Sequence, residues 1–173
     1  MIEKKNWKKE LLDWLKVGVV ALILSIGLTQ LIKPVLVVGD SMNNTLENRN
    51  YLLMNRIAYI GDKPEAKDIV VFKSEVEGGT VLIKRVIGIP DDHVVIKDGD
   101  VFINDEKQTE SYIKEDFSIG DVDIIVPKDK YFVMGDNRQG SLDSRFKEVG
   151  LVPEDEIIGK VFTRLLPFQK IQS

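Results

Sequence analysis

The chain has 173 residues, 43% of them hydrophobic and 30% charged, which fits one globular body and excludes a disordered chain. It has no cysteine, so disulfides and thiol chemistry are unavailable, and its single histidine, His93, leaves most hydrolase triads without a base. The net charge of −4 is unevenly spread: residues 1–16 carry five lysines against Glu3, Glu10 and Asp13, and the remainder is acidic, a pattern that suits membrane insertion and gives no support to nucleic-acid binding.

The first element is an apolar run over 17–28, broken only by Ser25 and extended by Leu31 and Ile32. With Leu11, Leu12, Trp14 and Leu15 ahead of it, roughly 20 residues read as a membrane-spanning helix. The bulky Ile32-Lys33-Pro34-Val35-Leu36 that follows lacks a small-x-small cleavage site, so an uncleaved anchor is expected rather than a removable signal peptide. A buried core helix is the competing reading, weakened by the lack of polar periodicity over 17–28. Lys4, Lys5, Lys8, Lys9 and Lys16 keep the N-terminal end cytoplasmic by the positive-inside rule. The expected organisation is a cytoplasmic basic tail and helix start over 1–16, a transmembrane anchor over 17–33 ended by Pro34, and an extracytoplasmic domain over 34–173, with membrane lipid as a partner.

Beyond Pro34 the pattern is mostly strands. Short apolar runs stand at 35–38, 51–54, 69–72 and 81–83, and runs at 93–97 and 101–104 flank Asp98-Gly99-Asp100, a hairpin turn signal. Runs at 131–134 and 157–162 complete the set, and Pro153-Glu154-Asp155-Glu156 reads as one turn of helix. The expected fold is mainly β, with coiled antiparallel sheets in a barrel or sandwich behind one N-terminal transmembrane helix. Residues 75–80 read as a turn between two core strands. The polar stretch 105–123 reads as a surface excursion whose aromatics, Tyr112 and Phe117, pack back on the body.

Candidate chemistry lies in three clusters. Ser41, in Gly39-Asp40-Ser41-Met42, stands nine residues past the apolar run; alone, it reads as a turn residue. Lys84 ends the run 81–83, where partial desolvation disfavours its ammonium form. A lysine near ~10.4 must fall by roughly 2–3 units to serve as a base near neutrality, a differential stabilisation of about 3–4 kcal/mol. Such an amine, within hydrogen-bond reach of Ser41, takes its proton as it attacks a carbonyl. The third cluster, residues 135–145, reads by composition as a polar surface loop. The alternative is a hydrogen-bonded scaffold in which Asp143 pairs with Arg145 and Ser141 orients the lysine amine.

Together these stretches resemble the type I signal peptidases, membrane-anchored Ser/Lys endopeptidases, in the compact Gram-positive form. Gly39-Asp40-Ser41-Met42 with Thr45-Leu46 is similar to the nucleophile motif, and Asp68-Ile69-Val70-Val71-Phe72 to the strand that follows it. Lys84-Arg85-Val86-Ile87-Gly88-Ile89-Pro90 resembles the general-base motif, and Gly135-Asp136-Asn137-Arg138 with Ser141, Asp143, Ser144 and Arg145 the final motif. The resemblance implies Ser41 as nucleophile and Lys84 as general base. Ser141 would hydrogen-bond Lys84, while Asp143 and Arg145, with Asp136 and Asn137, would complete the scaffold. Met42 would help line shallow pockets for small residues at positions −1 and −3 of a signal peptide, bound as an extended strand. The Ser41 backbone N–H would serve an oxyanion hole, and Gly39 stands where some members carry a second hydroxyl donor. No metal or other cofactor is implied. Two positions depart from the family pattern: Asn44 stands where proline is usual, and Asp91 where glycine is usual.

The reading is therefore a membrane-bound endopeptidase that removes signal peptides from exported preproteins on the outer face of the membrane. A non-catalytic relative acting as an assembly factor for surface proteins is the alternative, opposed by the presence of both Ser41 and Lys84. A self-cleaving Ser/Lys regulator of the repressor type would carry a DNA- or partner-binding segment where this chain carries an anchor.

Overall fold

The computed structural model describes residues 7–76, 79–115, 117–166 and 169–170. Lys4 and Lys5 of the basic tail lie outside the described residues, as do Glu77 and Gly78 of the turn expected over 75–80. The apolar run forms helix α1 (Trp7–Leu31), 25 residues long. At 1.5 Å per residue this is about 37 Å, enough to cross a hydrocarbon core of about 30 Å. None of its membrane-length window is buried in the body, and its described large apolar side chains, from Trp7 to Leu31, are exposed. The core-helix alternative is thereby removed.

The helix stops before Pro34. Strand β1 (Ile32–Leu36) starts directly after Leu31 and pairs antiparallel with β2 (Tyr51–Asn55), Ile32 opposite Asn55 and Pro34 opposite Leu53. Residues 32 and 33, expected at the end of the anchor, belong to the sheet, because β2 offers them a ladder. Pro34 is tolerated there because β1 is the outermost strand, where a missing N–H on the open side removes no ladder bond. Arg56 N adds a bond to Leu31 O (2.9 Å), tying the end of α1 to the same sheet.

The remaining strands are β3 (Ile69–Ser74), β4 (Thr80–Gly88), β5 (His93–Lys97), β6 (Asp100–Ile103), β7 (Glu106–Lys107), β8 (Val122–Ile125), β9 (Lys130–Met134), β10 (Val152–Pro153), β11 (Ile157–Leu166) and β12 (Gln169–Lys170). All pairings are antiparallel. The larger sheet runs β1-β2-β11-β3-β4-β9-β10, with β12 beside β11, and the smaller runs β7-β6-β5-β8. Register shifts in β11 and between β4 and β9 bend these long ladders, as bulges do. The one-turn helix expected near Pro153 is a 3-10 turn, Glu154–Glu156. The expectation of a mainly antiparallel β body behind one apolar helix is met. The stretch 105–123 is less of an excursion than its polarity suggested, since it contains β7 and the start of β8.

Alternation explains why the central runs are apolar throughout. On β3, Ile69 and Val71 join one buried cluster with Met42, Leu46, Leu52, Met54 and Val161, while Val70 and Phe72 join a second with Val86, Tyr131, Val133 and Val152. Both faces of this strand are covered, so no position is left for a polar side chain until Lys73. A third cluster, around Val94, Ile96, Val101 and Phe132, packs the smaller sheet against β9.

Asp91 has φ +70, a left-handed conformation that glycine adopts without strain. Its N–H still reaches Val126 O (2.9 Å), so the turn is kept in spite of the substitution. Asp91→Gly is expected to stabilise the body by about 0.5–1 kcal/mol, relief of the left-handed strain outweighing glycine's larger unfolded entropy. A rise of a few degrees in the thermal midpoint would register it, and a fall would refute it.

Candidate active site

Each candidate residue is placed by a different part of the sheet. Ser41 lies half-buried in the connection from β1 to β2, after Gly39 (φ +94), and begins a hydrogen-bonded turn in which Thr45 N and Leu46 N donate to Met42 O (3.1 and 2.8 Å). Met42 and Leu46, 2% and 0% exposed, fasten this turn to the core. Met42 therefore sits among Leu46, Leu52 and Met54 and offers almost no surface to a ligand, unlike the pocket-lining position expected of it.

Lys84 is on β4, opposite Val70 of β3, and is 2% exposed. Its Nζ lies 2.6 Å from Ser41 Oγ, donating to it when protonated. Burial pushes the Lys84 ammonium from 10.5 down to about 8; Asp143 pulls it up, Arg145 pushes it down and Asp136 pulls it up. Near pH 8 a substantial share of the amine is thus free, and in that form it accepts a hydrogen bond from the hydroxyl. A buried amine held this way against one hydroxyl can take its proton.

The loop after β9 ties the two together. Asn137 N donates to Ser41 O (3.0 Å) and Asn137 Nδ2 to Asp40 O (3.0 Å), so one residue holds both peptide carbonyls at the serine. Gly135 N donates to Asp143 Oδ2 (2.9 Å). Asp143 also receives Arg145 Nε (2.7 Å) and Nη2 (2.8 Å), the expected pair, with both side chains buried. Asp136 takes Arg85 Nε (2.9 Å) and Nη2 (2.8 Å) in a two-pronged pair with both side chains fully buried. A Cβ on Gly135 would run into the Ser41 carbonyl and the Ser141 hydroxyl, so only glycine lets the loop approach this closely.

Ser141 departs from its expected role. Its Oγ is buried but has no hydrogen-bond partner among the described residues, so the bond to Lys84 implied by the resemblance is not formed. The hydroxyl is packed against Gly135, and the lysine amine is turned to Ser41 instead.

Further participants come from positions to which the sequence reading assigned no chemistry. Arg138 forms a two-pronged pair with Glu110 and donates to Ser118 Oγ (2.7 Å) and Gly135 O (3.1 Å). The Tyr112 ring covers the Arg85 guanidinium at 4.0 Å, and its hydroxyl donates to Glu110 Oε1 (2.6 Å). Asn44 Nδ2 donates to Tyr112 O (2.9 Å). Nothing in the polar composition of 105–123 marks Glu110 among its neighbours; only the aromatic Tyr112 hinted that the segment packs inward. His93 lies away from all of this, with Nε2 2.8 Å from Asp123 Oδ1 at the surface. No cluster of three or more His, Cys, Asp or Glu suited to a metal occurs among the described residues.

Comparison with known proteins follows the same lines. The profile of the family described as "Signal peptidase, peptidase S26" matches residues 11–166. Signal peptidase I P of Bacillus subtilis subsp. natto is 40% identical over 182 residues, covering 98% of this chain and 97% of that protein. Signal peptidase IB of Staphylococcus aureus is 35% identical over 184 residues, covering 95% of this chain and 94% of that protein. A crystal structure of a signal peptidase I from Enterococcus faecalis V583 superposes with a TM-score of 0.50 at 31% identity, covering 57% of this chain and 97% of that one.

Proposed function

For a chain that belongs to the signal peptidase family S26, and is thus a serine endopeptidase of that family, we propose that Ser41 is the nucleophile and Lys84 the general base of signal-peptide cleavage. The observation that carries this reading is the 2.6 Å contact between a buried lysine amine and Ser41 Oγ. The neutral amine accepts the Ser41 proton as Oγ attacks the scissile carbonyl. The resulting ammonium gives that proton to the departing amine as the C–N bond breaks, leaving an ester on Ser41. Water, deprotonated by the same amine, then attacks the ester and frees the serine.

Charge on the tetrahedral oxygen needs donors. The Ser41 N–H makes no hydrogen bond to protein among the described residues, which leaves it available, and removal of one such donor in other hydrolases costs about 10²–10³ in kcat. Asn137 fixes the peptide carbonyls on either side and so the direction of that N–H. Gly39 contributes no hydroxyl. The substrate is the signal peptide of an exported preprotein, with small residues at −1 and −3.

In this reading α1 anchors the protein as a single pass. Lys8, Lys9 and Lys16 on its first turns hold that end in the cytoplasm, and the β body works at the opposite face. The detergent-solubilised protein, mixed with a preprotein, should release a mature product whose new N-terminus follows a small-x-small pair. Rapid acid quenching should capture the signal peptide as an ester on the peptide containing Ser41. Uncut preprotein, or an ester on another residue, would refute the proposal.

A further inference from the structure

One short segment touches all three parts of the site. Between β7 and β8, Tyr112 lays its ring on Arg85, the neighbour of Lys84 in β4, at 4.0 Å. Its backbone carbonyl accepts Asn44 Nδ2 (2.9 Å), three residues beyond Ser41. Its hydroxyl donates to Glu110, which is paired with Arg138 in the loop after β9. Arg85 Nη2 also points at Thr45 Oγ1, at 3.5 Å, so the covered guanidinium borders the serine turn directly.

The turn needs such support. Asn44 has φ +97, a conformation that a non-glycine residue keeps only where its surroundings fix it. Asn44 is itself exposed, so core packing does not hold it there. Its side-chain bond to the Tyr112 carbonyl is the restraint that links it to another part of the fold.

We propose that Tyr112 is a positioning residue for the reaction: its ring on Arg85 and its carbonyl on Asn44 hold the strand bearing Lys84 in line with the turn bearing Ser41. The role rests on the Ser41–Lys84 reading given above. Small displacements of reacting groups are costly, about 10²-fold for 1 Å, and a brace acting through Arg85 and Asn44 bears on those groups. The effect therefore falls on kcat rather than KM.

The test uses the full-length protein in detergent and a peptide spanning a signal-peptide cleavage site, assayed well below each variant's thermal midpoint. Tyr112→Leu is expected to lower kcat about 10- to 100-fold with KM within about threefold. Tyr112→Phe, which keeps the ring on Arg85 that Tyr112→Leu removes, should stay within about threefold of the parent. Asn44→Gly, which allows the same φ but removes the amide, should lower kcat about 3- to 10-fold, and its combination with Tyr112→Leu should fall short of the product of the single losses. A parental kcat in Tyr112→Leu, a loss confined to KM, or fully multiplicative losses would overturn the role. If Tyr112→Leu does not fold, Asn44→Gly decides alone: unchanged kcat refutes the brace. Ser41→Ala runs in parallel. Activity there would overturn the dyad and the brace with it, whereas an inert Ser41→Ala beside a fully active Tyr112→Leu overturns the brace only.

Discussion

Lys84→Met is expected to abolish cleavage and, at neutral pH, to make the protein harder to unfold. The loss of activity follows from the proposed dyad: among the described residues Lys84 is the side chain bonded to Ser41 Oγ, and a base acting with its nucleophile is worth about 10³–10⁶ in kcat. Ser41→Ala should fall to the same floor, and the double variant no lower. The gain in stability follows from the same burial. The Lys84 ammonium is acidified from 10.5 to about 8, so the folded state disfavours the proton that the unfolded chain holds. Between these two values the unfolded state binds more protons, and the stability contribution rises with pH. Below about 8 the folded protein carries the full burden of a buried charge, roughly 3–4 kcal/mol, which methionine of similar length does not. The advantage of Lys84→Met should therefore be largest below about pH 8, shrink as pH climbs, and vanish above about 10.5. Denaturant unfolding at pH 7 and pH 10.5 measures it. A variant less stable than its parent at pH 7 would contradict the electrostatic picture. The same acidity places the rising limb of the kcat/KM profile near pH 8.

Asp136→Ala is expected to be the most destabilising change in the site loop. Arg85 and Asp136 are both fully buried, and removing one partner strands the other charge away from water, at a cost of about 3–5 kcal/mol. The thermal midpoint should drop by about 10 °C or more. Arg85→Met should cost a similar amount, since it strands the carboxylate. The double replacement Arg85→Met/Asp136→Leu should recover much of the loss, because two apolar side chains bring no unpaired charge. Activity should not return with it: the guanidinium also bonds Lys67 O (2.9 Å) and carries the Tyr112 ring. Additive losses in the double variant would mean that the pair contributes little beyond its separate contacts.

Much of this arrangement is readable from the sequence because it rests on local signals. The β-branched runs at 69–72 and 131–134 are strands since both faces are covered, and no competing helical period exists there. Ser41, Lys84 and the loop from Gly135 to Arg145 stand out only together, through the resemblance of their motifs to the family's; alone, Ser41 reads as a turn residue and the loop as polar surface. What was hidden depends on partners distant in sequence. Glu110 looks like any surface acid until Arg138, 28 residues later, folds onto it. Ile32 and Lys33 continue an apolar run, yet the ladder offered by Asn55 and Met54 draws them into β1. The two departures from the family pattern are both left-handed in backbone, and they differ in kind. Asp91 (φ +70) keeps a glycine's conformation at some strain, whereas Asn44 (φ +97) has a conformation that proline, fixed near −65°, cannot adopt. At Asn44 the backbone takes a course closed to proline, and the side chain there is bonded to the Tyr112 carbonyl.

The junction of α1 with β1 gives the enzyme a built-in gauge of height. Leu31 ends the helix, Ile32 is already paired with Asn55, and Arg56 closes on the Leu31 carbonyl, so no slack chain separates the span from the sheet. Ser41 stands ten residues past Leu31, at most about 33–36 Å of extended chain, and the pairing of β1 with β2 takes up half of that in rigid sheet. In the proposed single-pass arrangement, the distance of a peptide bond from the lipid boundary then bears on its cleavage alongside the side chains around it. Any tilt of the helix moves the serine with it, as the nib of a pen follows the barrel.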